Sequence, residues 1–218
     1  MKICVIIPTF NVEDSIIQLI TDVKSLNYDI IIIDDGSSDK TAARAHDMGV
    51  HVIALEKNYG KGFALKQGFR YALDNHYDAV ITMDGDGQHI PADIPILVEA
   101  APMASIIIGA RIIDRCKMPF IIHCSNTITS WLISKLCRVN IKDTQSGFRL
   151  IHRSVLENCL LQSNHYEIES ELLIKAIRLG HTVHEVHIHT KYNCLNPRPT
   201  IMRDIWQLVR LLLHLITK

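Results

Sequence analysis

Short apolar runs alternate with segments of helical periodicity over the first half of the chain. Five runs rich in Ile and Val predict strands at residues 3–7, 30–33, 50–55, 79–83 and 105–109. Continuous apolar runs are typical of strands that are covered on both faces, as in βαβ units. The pattern therefore predicts an α/β fold with a mostly parallel central sheet flanked by helices.

Apolar residues at spacings of three and four predict the helices between these strands. The first helix covers residues 12–23, and Asn11 is expected to be its N-cap. Gly49 and Gly180 each follow a helical stretch and are expected to end it as C-cap residues. Later in the chain the alternation loosens, and the pattern predicts helices at 126–137, 154–161 and 167–179 and a strand at 183–189.

The closing segment, residues 200–218, predicts an amphipathic helix with a broad apolar face. Its polar residues form one narrow stripe, which consists of Arg203, Gln207, Arg210 and His214. Such a face needs a partner, and three remain open: the rest of the domain, a membrane interface, or a membrane-embedded subunit. No linker rich in Pro, Gly or Ser interrupts the chain, so we expect a single domain over residues 1–218.

The composition narrows the class of protein. The chain has 218 residues, with 23 Lys plus Arg against 23 Asp plus Glu, and 48% of its residues are hydrophobic. The balanced charge argues against a general nucleic-acid binder, and the apolar content excludes a disordered chain. We recognise neither an apolar run of about 18 residues that would span a membrane nor a signal peptide. The six Cys are scattered without a CxxC pair, which predicts free thiols in a reducing cytoplasm.

Polar residues follow four of the predicted strands, in the segments 8–11, 34–39, 84–89 and 109–111. Ligands of open α/β sheets bind at the carboxyl ends of the strands. We therefore expect carboxylates, glycines and one basic residue, Arg111, to gather at one edge of the sheet.

Asp84 and Asp86 form the most specific pair in these segments. Because one Gly separates them in a turn, both carboxylates can face one hard cation. Mg²⁺ or Mn²⁺ is commonly held by one or two carboxylates together with substrate phosphates. The alternative is a solvated turn that merely ends a strand. A calcium loop of the EF-hand type is excluded, since its twelfth position would be Pro95.

Two further segments have both a structural and a functional interpretation. Segment 34–38 either forms a turn or presents a carboxylate to a nucleobase or ribose. Segment 58–62 either begins a helix or brings Lys61 and backbone N–H groups to a phosphate. It matches neither the P-loop nor the dinucleotide-binding pattern, so both interpretations stay open.

Seven segments are specific when they are taken together and in order. They are VIIPTFN at 5–11, IIIDDGSSDKT at 31–41, NYGKGFALKQGF at 58–69, ITMDGDGQH at 81–89, GAR at 109–111, DTQSGFR at 143–149 and YEIESELLIKA at 166–176. The chain resembles the family-2 glycosyltransferases of the GT-A fold, particularly the dolichol-phosphate mannose synthases and polyprenol-phosphate hexose transferases. The resemblance implies that residues 1–110 bind a nucleotide sugar and that residues 111–199 receive the acceptor.

The resemblance also implies which residues bind substrate. The nucleoside pocket would be lined by Pro8, Thr9, Phe10, Asn11 and Asp35. The other substrate-binding positions in the matching motifs are Lys61, Met83, Asp84, Gly85, Arg111, Ser146 and Arg149.

The same resemblance implies a cation site and catalytic residues. Asp84 and Asp86, with Gln88 as a third ligand, would hold Mg²⁺ or Mn²⁺ at the diphosphate. Arg111 would bind phosphate, and Asp143 would lie near the acceptor. The catalytic residues implied in this way are Asp86, Arg111 and Asp143.

The implied reaction is a metal-dependent, inverting transfer of a hexose from GDP-mannose or a UDP-hexose to polyprenyl or dolichyl phosphate, at the cytoplasmic face of a membrane. A lipid phosphate is already ionised and leaves Asp143 a positioning role, whereas a hydroxyl acceptor needs Asp143 as a base. Two alternatives remain open. One is transfer to a saccharide or another hydroxyl, and the other is a non-catalytic subunit that binds sugar nucleotides.

Two departures from the family pattern and one discounted signal complete the picture. Val12 stands where relatives commonly have Glu, and Glu13 is a candidate substitute. Segment 118–125 lacks the Arg that relatives using lipid phosphate often carry. Alternating carboxylates begin a predicted helix, where they complement the helix dipole, so we expect a structural role for Glu167, Glu169 and Glu171.

Overall fold

The protein is described by a computed structural model that covers residues 1–111 and 120–189, with the backbone alone for 120–125. The predicted helix of residues 200–218 lies outside the described residues. The described part holds a sheet whose strand order is β3-β2-β1-β4-β6-β5-β7. The strands are β1 (Ile3–Thr9), β2 (Asp29–Asp34), β3 (His51–Ala54), β4 (Ala79–Thr82), β5 (Ile106–Arg111), β6 (Arg149–His152) and β7 (Val183–Ile188).

The sheet is mostly parallel, as predicted. Only β6 is antiparallel, to β4 on one side and to β5 on the other, within the described residues. Each of the five predicted strands is confirmed, as is the predicted strand at β7. The sequence pattern missed β6, because its four residues include only Leu150 and Ile151 as an apolar pair. So short an apolar run has no periodicity of its own.

Helices cover both faces of the sheet. They are α1 (Glu13–Lys24), α2 (Thr41–Asp47), α3 (Lys61–Asp74), α4 (Ile94–Ala100), α5 (Phe120–Cys137), α6 (Arg153–Asn158) and α7 (Ile168–Arg178). Because successive side chains of a strand point to opposite faces, β1 supplies two cores. Ile6 packs in the core that includes Phe69 of α3 and Leu173 of α7. Ile7 packs in the other core, with Ile20 of α1.

The ends of the helices confirm two predictions and correct one. Gly49 and Gly180 follow α2 and α7 with φ of 66° and 86°, the left-handed conformation expected after a helix. Asn11 is not the N-cap of α1, which is Val12. Asn11 itself has a φ of 51°, and its side chain bonds to the loop after β2 instead.

The edge strand β3 departs from the expectation of strands buried on both faces. Its first and last residues, His51 and Ala54, are exposed, and Val52 and Ile53 are only half-buried. An edge strand has one neighbour, so fewer side chains cover it. Nowhere in residues 1–111 and 120–189 is there a helix both long and apolar enough to cross a membrane.

Candidate functional site

The carboxyl ends of β1, β2, β4 and β5 meet at one edge of the sheet. The first three are neighbouring parallel strands, and β5 runs the same way because β6 is antiparallel to both its neighbours. For the same reason β6 begins at this edge and brings the preceding loop to it. The predicted gathering of polar segments is confirmed. We call the loops 8–12, 34–39, 83–89 and 143–148 together the rim.

Hydrogen bonds join the first two loops of the rim. The Asn11 backbone N–H donates to Ser37 Oγ, and Asn11 Oδ1 accepts from the Ser38 N–H, both at 2.9 Å. Ser37 in turn donates to the Asp34 carboxylate through its backbone N–H at 3.0 Å and its hydroxyl at 2.5 Å. Asp34 therefore forms the turn, as one of its two interpretations predicted.

The residues predicted to line a nucleoside pocket differ in accessibility. Phe10 is 45% exposed, and Asn11 is exposed as well. Pro8 is half-buried, whereas Thr9 is 2% exposed and its hydroxyl lies 3.4 Å from the Ile33 carbonyl oxygen. Phe10 thus offers the broad apolar surface on which a planar ring can stack. Its contact with a nucleoside stays a prediction.

Asp35 fastens the loop after β3 to the end of β2. Its carboxylate is buried and accepts from the Tyr59 N–H at 2.8 Å and the Gly60 N–H at 2.9 Å. Burial raises the pKa of Asp35, and these hydrogen bonds only partly offset it. Next to it, Gly36 has a φ of 71°, and a Cβ there would lie 2.4 Å from the Lys57 carbonyl carbon. The contact of Asp35 with a base or ribose stays a prediction.

Gly85 brings the loop after β4 against the end of β1. A Cβ on Gly85 would lie 3.0 Å from Thr9 Cγ2 and 3.1 Å from the Pro8 carbonyl oxygen, so any other residue would require these neighbours to move by a few tenths of an ångström. The neighbouring Met83 is 0% exposed and packs in the core. Its side chain therefore does not face the rim, and substrate binding at Met83 stays a prediction.

The predicted cation ligands follow in the same loop. Asp86 Oδ1 accepts from the Gln88 backbone N–H at 3.1 Å, and the Asp84 N–H donates to His89 Nδ1 at 3.1 Å. The His89 ring is buried and stacks on Phe148 with centroids 5.2 Å apart. Burial lowers the pKa of His89, which favours a neutral ring whose Nδ1 can accept. The buried ring therefore anchors the backbone of the loop that carries Asp84 and Asp86.

Lys61 connects this loop with α7. The ammonium at the start of α3 pairs with Asp84 Oδ1 and lies 2.5 Å from Glu169 Oε1. Glu169 has 9% of its side chain exposed and belongs to the first turn of α7. The structural role predicted for Glu169 is incomplete, because its carboxylate is part of the charged site. Its place in the motif YEIESELLIKA was the one signal in the sequence.

Glu171, in the same turn of α7, differs from Glu169 because its carboxylate serves the structure of the chain. Its carboxylate accepts from the backbone N–H groups of Gln162 and Ser163 and pairs with Lys175 at 2.6 Å. Although burial disfavours its charge, these hydrogen bonds hold the pKa of Glu171 below its usual value. The structural role predicted for Glu171 is confirmed.

Arg111 and Asp143 form a two-pronged ion pair at the rim. Arg111 Nε donates to Asp143 Oδ2 at 2.7 Å, and its Nη2 donates to Oδ1 at 2.8 Å. The backbone of Asp143 is held by the Glu185 carboxylate of β7, at 2.9 Å. Burial alone would raise the pKa of Asp143, but the hydrogen bonds and charge of Arg111 outweigh it and hold the pKa below its usual value. Asp143 is therefore a firmly ionised and occupied carboxylate.

Arg149 and Ser146 lie beneath the rim. Arg149 is 1% exposed, and its guanidinium donates to the backbone carbonyls of Thr144, Ser146 and Glu169 at 2.7 to 2.8 Å. Ser146 is 0% exposed. Both side chains shape the loop before β6 and the start of α7. Neither side chain reaches the surface of the rim, and substrate binding at these two positions stays a prediction.

The donor set of the loop after β4 suits a hard divalent cation. Asp84 and Asp86 offer carboxylate oxygens on one turn, and Mg²⁺ usually takes one or two of these with substrate phosphates. Across the described ranges, no group of three or more His, Cys, Asp or Glu side chains is arranged to hold a metal ion.

The architecture is that of a known class of enzymes. The chain superposes on glucosyl-3-phosphoglycerate synthase from Mycobacterium tuberculosis with a TM-score of 0.77, covering 98% of this chain and 78% of that one at 23% identity. That enzyme was crystallised with Mn²⁺, UDP and phosphoglyceric acid. The expected GT-A fold of a glycosyltransferase is confirmed.

The family follows from the sequence match. The model for the glycosyl transferase family 2 domain matches residues 4–160, and the chain belongs to this family. An undecaprenyl-phosphate mannosyltransferase from Micrococcus luteus is 30% identical over 205 residues, which cover 86% of this chain and 83% of the relative. A UDP-N-acetylglucosamine dolichyl-phosphate N-acetylglucosaminyltransferase from Methanococcus voltae is 32% identical over 215 residues, covering 87% and 86%. The resemblance stated from the motifs is confirmed.

Proposed function

We propose that the protein transfers a hexose from a nucleotide diphosphate sugar to a polyprenyl phosphate, with a divalent cation held at Asp84 and Asp86. The observation that carries the choice of acceptor is the ion pair between Arg111 and Asp143. A general base needs an accessible carboxylate whose pKa lies near the working pH. Asp143 has a lowered pKa and both oxygens engaged by Arg111.

An acceptor that is already ionised does not need such a base. A phosphate monoester has a second pKa of about 6, so it carries a nucleophilic oxygen at neutral pH. Asp143 then positions Arg111, whose planar guanidinium suits a phosphate. This division of roles supports a lipid phosphate over a hydroxyl acceptor, and the names of the two relatives from Micrococcus luteus and Methanococcus voltae support the same choice.

The residues of the rim would act on the charge that develops during transfer. Displacement at the anomeric carbon leaves negative charge on the departing nucleoside diphosphate. Lys61 at the start of α3 and Arg111 at the end of β5 would face this charge, and a carboxylate already holds each side chain before substrate arrives. Groups that are preorganised in this way stabilise charge where it forms. A cation at Asp84 and Asp86 would supply further neutralisation of the diphosphate.

The acceptor proposed here is a membrane lipid, so we place the reaction at a membrane surface. The cytoplasmic face and a membrane-embedded partner stay predictions. The donor screen described next would identify the hexose and the base of the nucleotide.

The test is a donor and acceptor screen with the full chain. Labelled GDP-mannose, UDP-glucose and UDP-N-acetylglucosamine are each incubated with Mg²⁺ or Mn²⁺ and either undecaprenyl phosphate or the matched free polyprenol. We expect label on the lipid phosphate alone. Transfer only to polyprenol or a saccharide would overturn the phosphate acceptor, and donor binding without turnover would indicate a non-catalytic subunit.

The controls for this screen are a chelator and three substitutions. Chelation, Asp84→Asn and Asp86→Asn should each lower turnover by at least about a hundredfold, the usual cost of losing electrostatic stabilisation in the transition state. Asp74→Asn, at a carboxylate with 69% of its side chain exposed, should leave turnover unchanged. Full activity of the Asp84 and Asp86 variants would remove the cation site and leave the acceptor result standing.

A further inference from the structure

Three elements that are remote in the chain bring one ammonium and two carboxylates together. Lys61 begins α3, Asp84 follows β4 and Glu169 lies in the first turn of α7. The exposed fractions of these side chains are 12%, 18% and 9%, so all three are largely withdrawn from water. Lys61 Nζ contacts both carboxylates at once. Ion pairs in such surroundings are screened much less than pairs on the surface.

Gly147 covers this group of charges. An ideal Cβ on Gly147 would lie 2.8 Å from Glu169 Oε1, 2.9 Å from Lys61 Nζ and 3.0 Å from Asp84 Oδ1. The three polar atoms therefore pack against the backbone of the loop before β6. The backbone of Glu169 is also held in place, because Arg149 Nη1 donates to its carbonyl oxygen at 2.7 Å. The position of the Glu169 side chain is therefore constrained at its base.

We infer that Lys61 and a divalent cation compete for the Asp84 carboxylate, and that Glu169 retains the Lys61 ammonium when the cation takes Asp84. The inference rests on the cation site of the proposed function. An ammonium at Asp84 Oδ1 repels a second cation that approaches the same oxygen. Glu169 offers Lys61 a second partner without a large movement, because Nζ already lies 2.5 Å from Glu169 Oε1.

Glu169 is by this reasoning a positioning residue. It acts through Lys61, and its own carboxylate need not touch the cation or the substrate. Of the two carboxylates that Lys61 contacts, only Asp84 remains when Glu169 is removed. Displacing the Lys61 ammonium from Asp84 then costs the divalent cation more free energy. The effect of Glu169 on cation binding should therefore depend on the presence of the Lys61 ammonium.

The test is a double-mutant cycle in which the affinity for Mn²⁺ is measured. Electron paramagnetic resonance of Mn²⁺ reports binding to the full chain, in the absence of nucleotide and in the presence of GDP or UDP. Glu169→Gln should weaken Mn²⁺ binding by at least about fivefold, and Lys61→Met should tighten it by a similar factor, as expected for coupled sites. In the Lys61→Met background, Glu169→Gln should change the affinity by less than about twofold, because the competitor is gone.

Glu157→Gln is the control. It removes the same charge from α6, at a side chain that is 48% exposed and pairs with Arg153 outside the rim. It should leave Mn²⁺ affinity within about twofold of wild type. Should Lys61→Met not fold, Lys61→Gln removes the charge and keeps hydrogen-bond donors for both carboxylates.

The outcomes separate this inference from the proposed function. Equal weakening by Glu169→Gln in both backgrounds would show a simple loss of negative charge and overturn the competition. An unchanged affinity in Lys61→Met would do the same. Absence of Mn²⁺ binding in wild type under every condition would overturn the cation site itself. The lipid product of the donor screen is measured independently of all these results.

Discussion

Two buried aspartates of the rim have opposite charge environments. Asp35, at the end of β2, accepts from two backbone N–H groups, and its pKa is raised. Asp143, beside β5, is held by a guanidinium, and its pKa is lowered. Asp35 is 4% exposed and Asp143 is 5% exposed, so burial of the residue does not account for the difference. The charge of the partner decides the state of each carboxylate.

The rim has two sides that differ in the same way as these two aspartates. The loops after β1 and β2 are joined by hydrogen bonds between neutral groups and the carboxylates of Asp34 and Asp35. The loops near β5 and α7 are joined by ion pairs, through Arg111 and Lys61. The first side is therefore held by hydrogen bonds from backbone and hydroxyl donors, and it leaves Phe10 exposed. The second side is held by ion pairs in which Arg111 and Lys61 are each matched by carboxylates.

The largest change in the free energy of unfolding is expected from removing the Arg111 guanidinium, on the side of the rim that is held by ion pairs. Arg111→Met leaves the buried Asp143 carboxylate without its main partner, which costs about 3 to 5 kcal/mol of unfolding free energy for a broken buried pair. Urea unfolding followed by circular dichroism measures this loss. Arg70→Met is the control, because its pair with Asp74 is 3.9 Å long and highly exposed. That variant should lose less than about 0.5 kcal/mol.

A loss below about 1 kcal/mol for Arg111→Met would place the pair among ordinary surface ion pairs and break the comparison. Adding Asp143→Leu to Arg111→Met should recover part of the loss, because the unpaired charge is then removed as well.

A smaller effect is expected on the neutral side. Asp35→Asn keeps the shape of the side chain but replaces one acceptor oxygen by an NH₂ group that faces a backbone N–H. The unsatisfied donor should cost about 1 to 3 kcal/mol, which urea unfolding at neutral pH would measure. A loss as large as that of Arg111→Met would show that neutral partners hold the rim as strongly as ion pairs do.

The smallest effect, and the one that separates the two aspartates by sign, is the pH dependence of stability. The pKa of Asp143 lies below its ordinary value of 3.8, so its contribution is present above pH 3.8 and is lost as the pH falls below it. The pKa of Asp35 lies above 3.8, so its contribution is present at low pH and is lost as the pH rises through the raised pKa.

The measurement compares wild type with Asp143→Asn and with Asp35→Asn by urea unfolding from about pH 3 to about pH 6. On acidification the advantage of wild type over Asp143→Asn should shrink, and its advantage over Asp35→Asn should grow. Parallel curves for the two variants would refute the opposite shifts.

Much of the fold could be predicted because its signals are local. Apolar runs of the five early strands and the periodicity of the helices are properties of neighbouring residues. The glycines after α2 and α7 were recognised from conformational freedom alone. The reverse strand β6 was missed, because its pairing with β4 and β5 depends on residues far along the chain. Asn11 was misassigned as an N-cap, because its side chain bonds to Ser38 of another loop.

The site divides in the same way. Asp84, Asp86 and Arg111 could be placed at one edge from their position after strands. The burial of Met83, Ser146 and Arg149 could not be predicted, since a motif identifies a position and does not tell which side of the loop it faces.

The sequence by itself determined most of the helices and strands, the edge at which polar residues gather and the family to which the chain belongs. The tertiary structure alone decided which charge meets which. Lys61 and Glu169 are separated by 108 positions and Arg111 and Asp143 by 32, yet each pair is in direct contact. Electrostatic interaction depends on distance in space and on the surrounding dielectric, and neither can be read from the order of residues. For that reason Asp143 is held as an ionised partner of Arg111, and Glu169 joins the site.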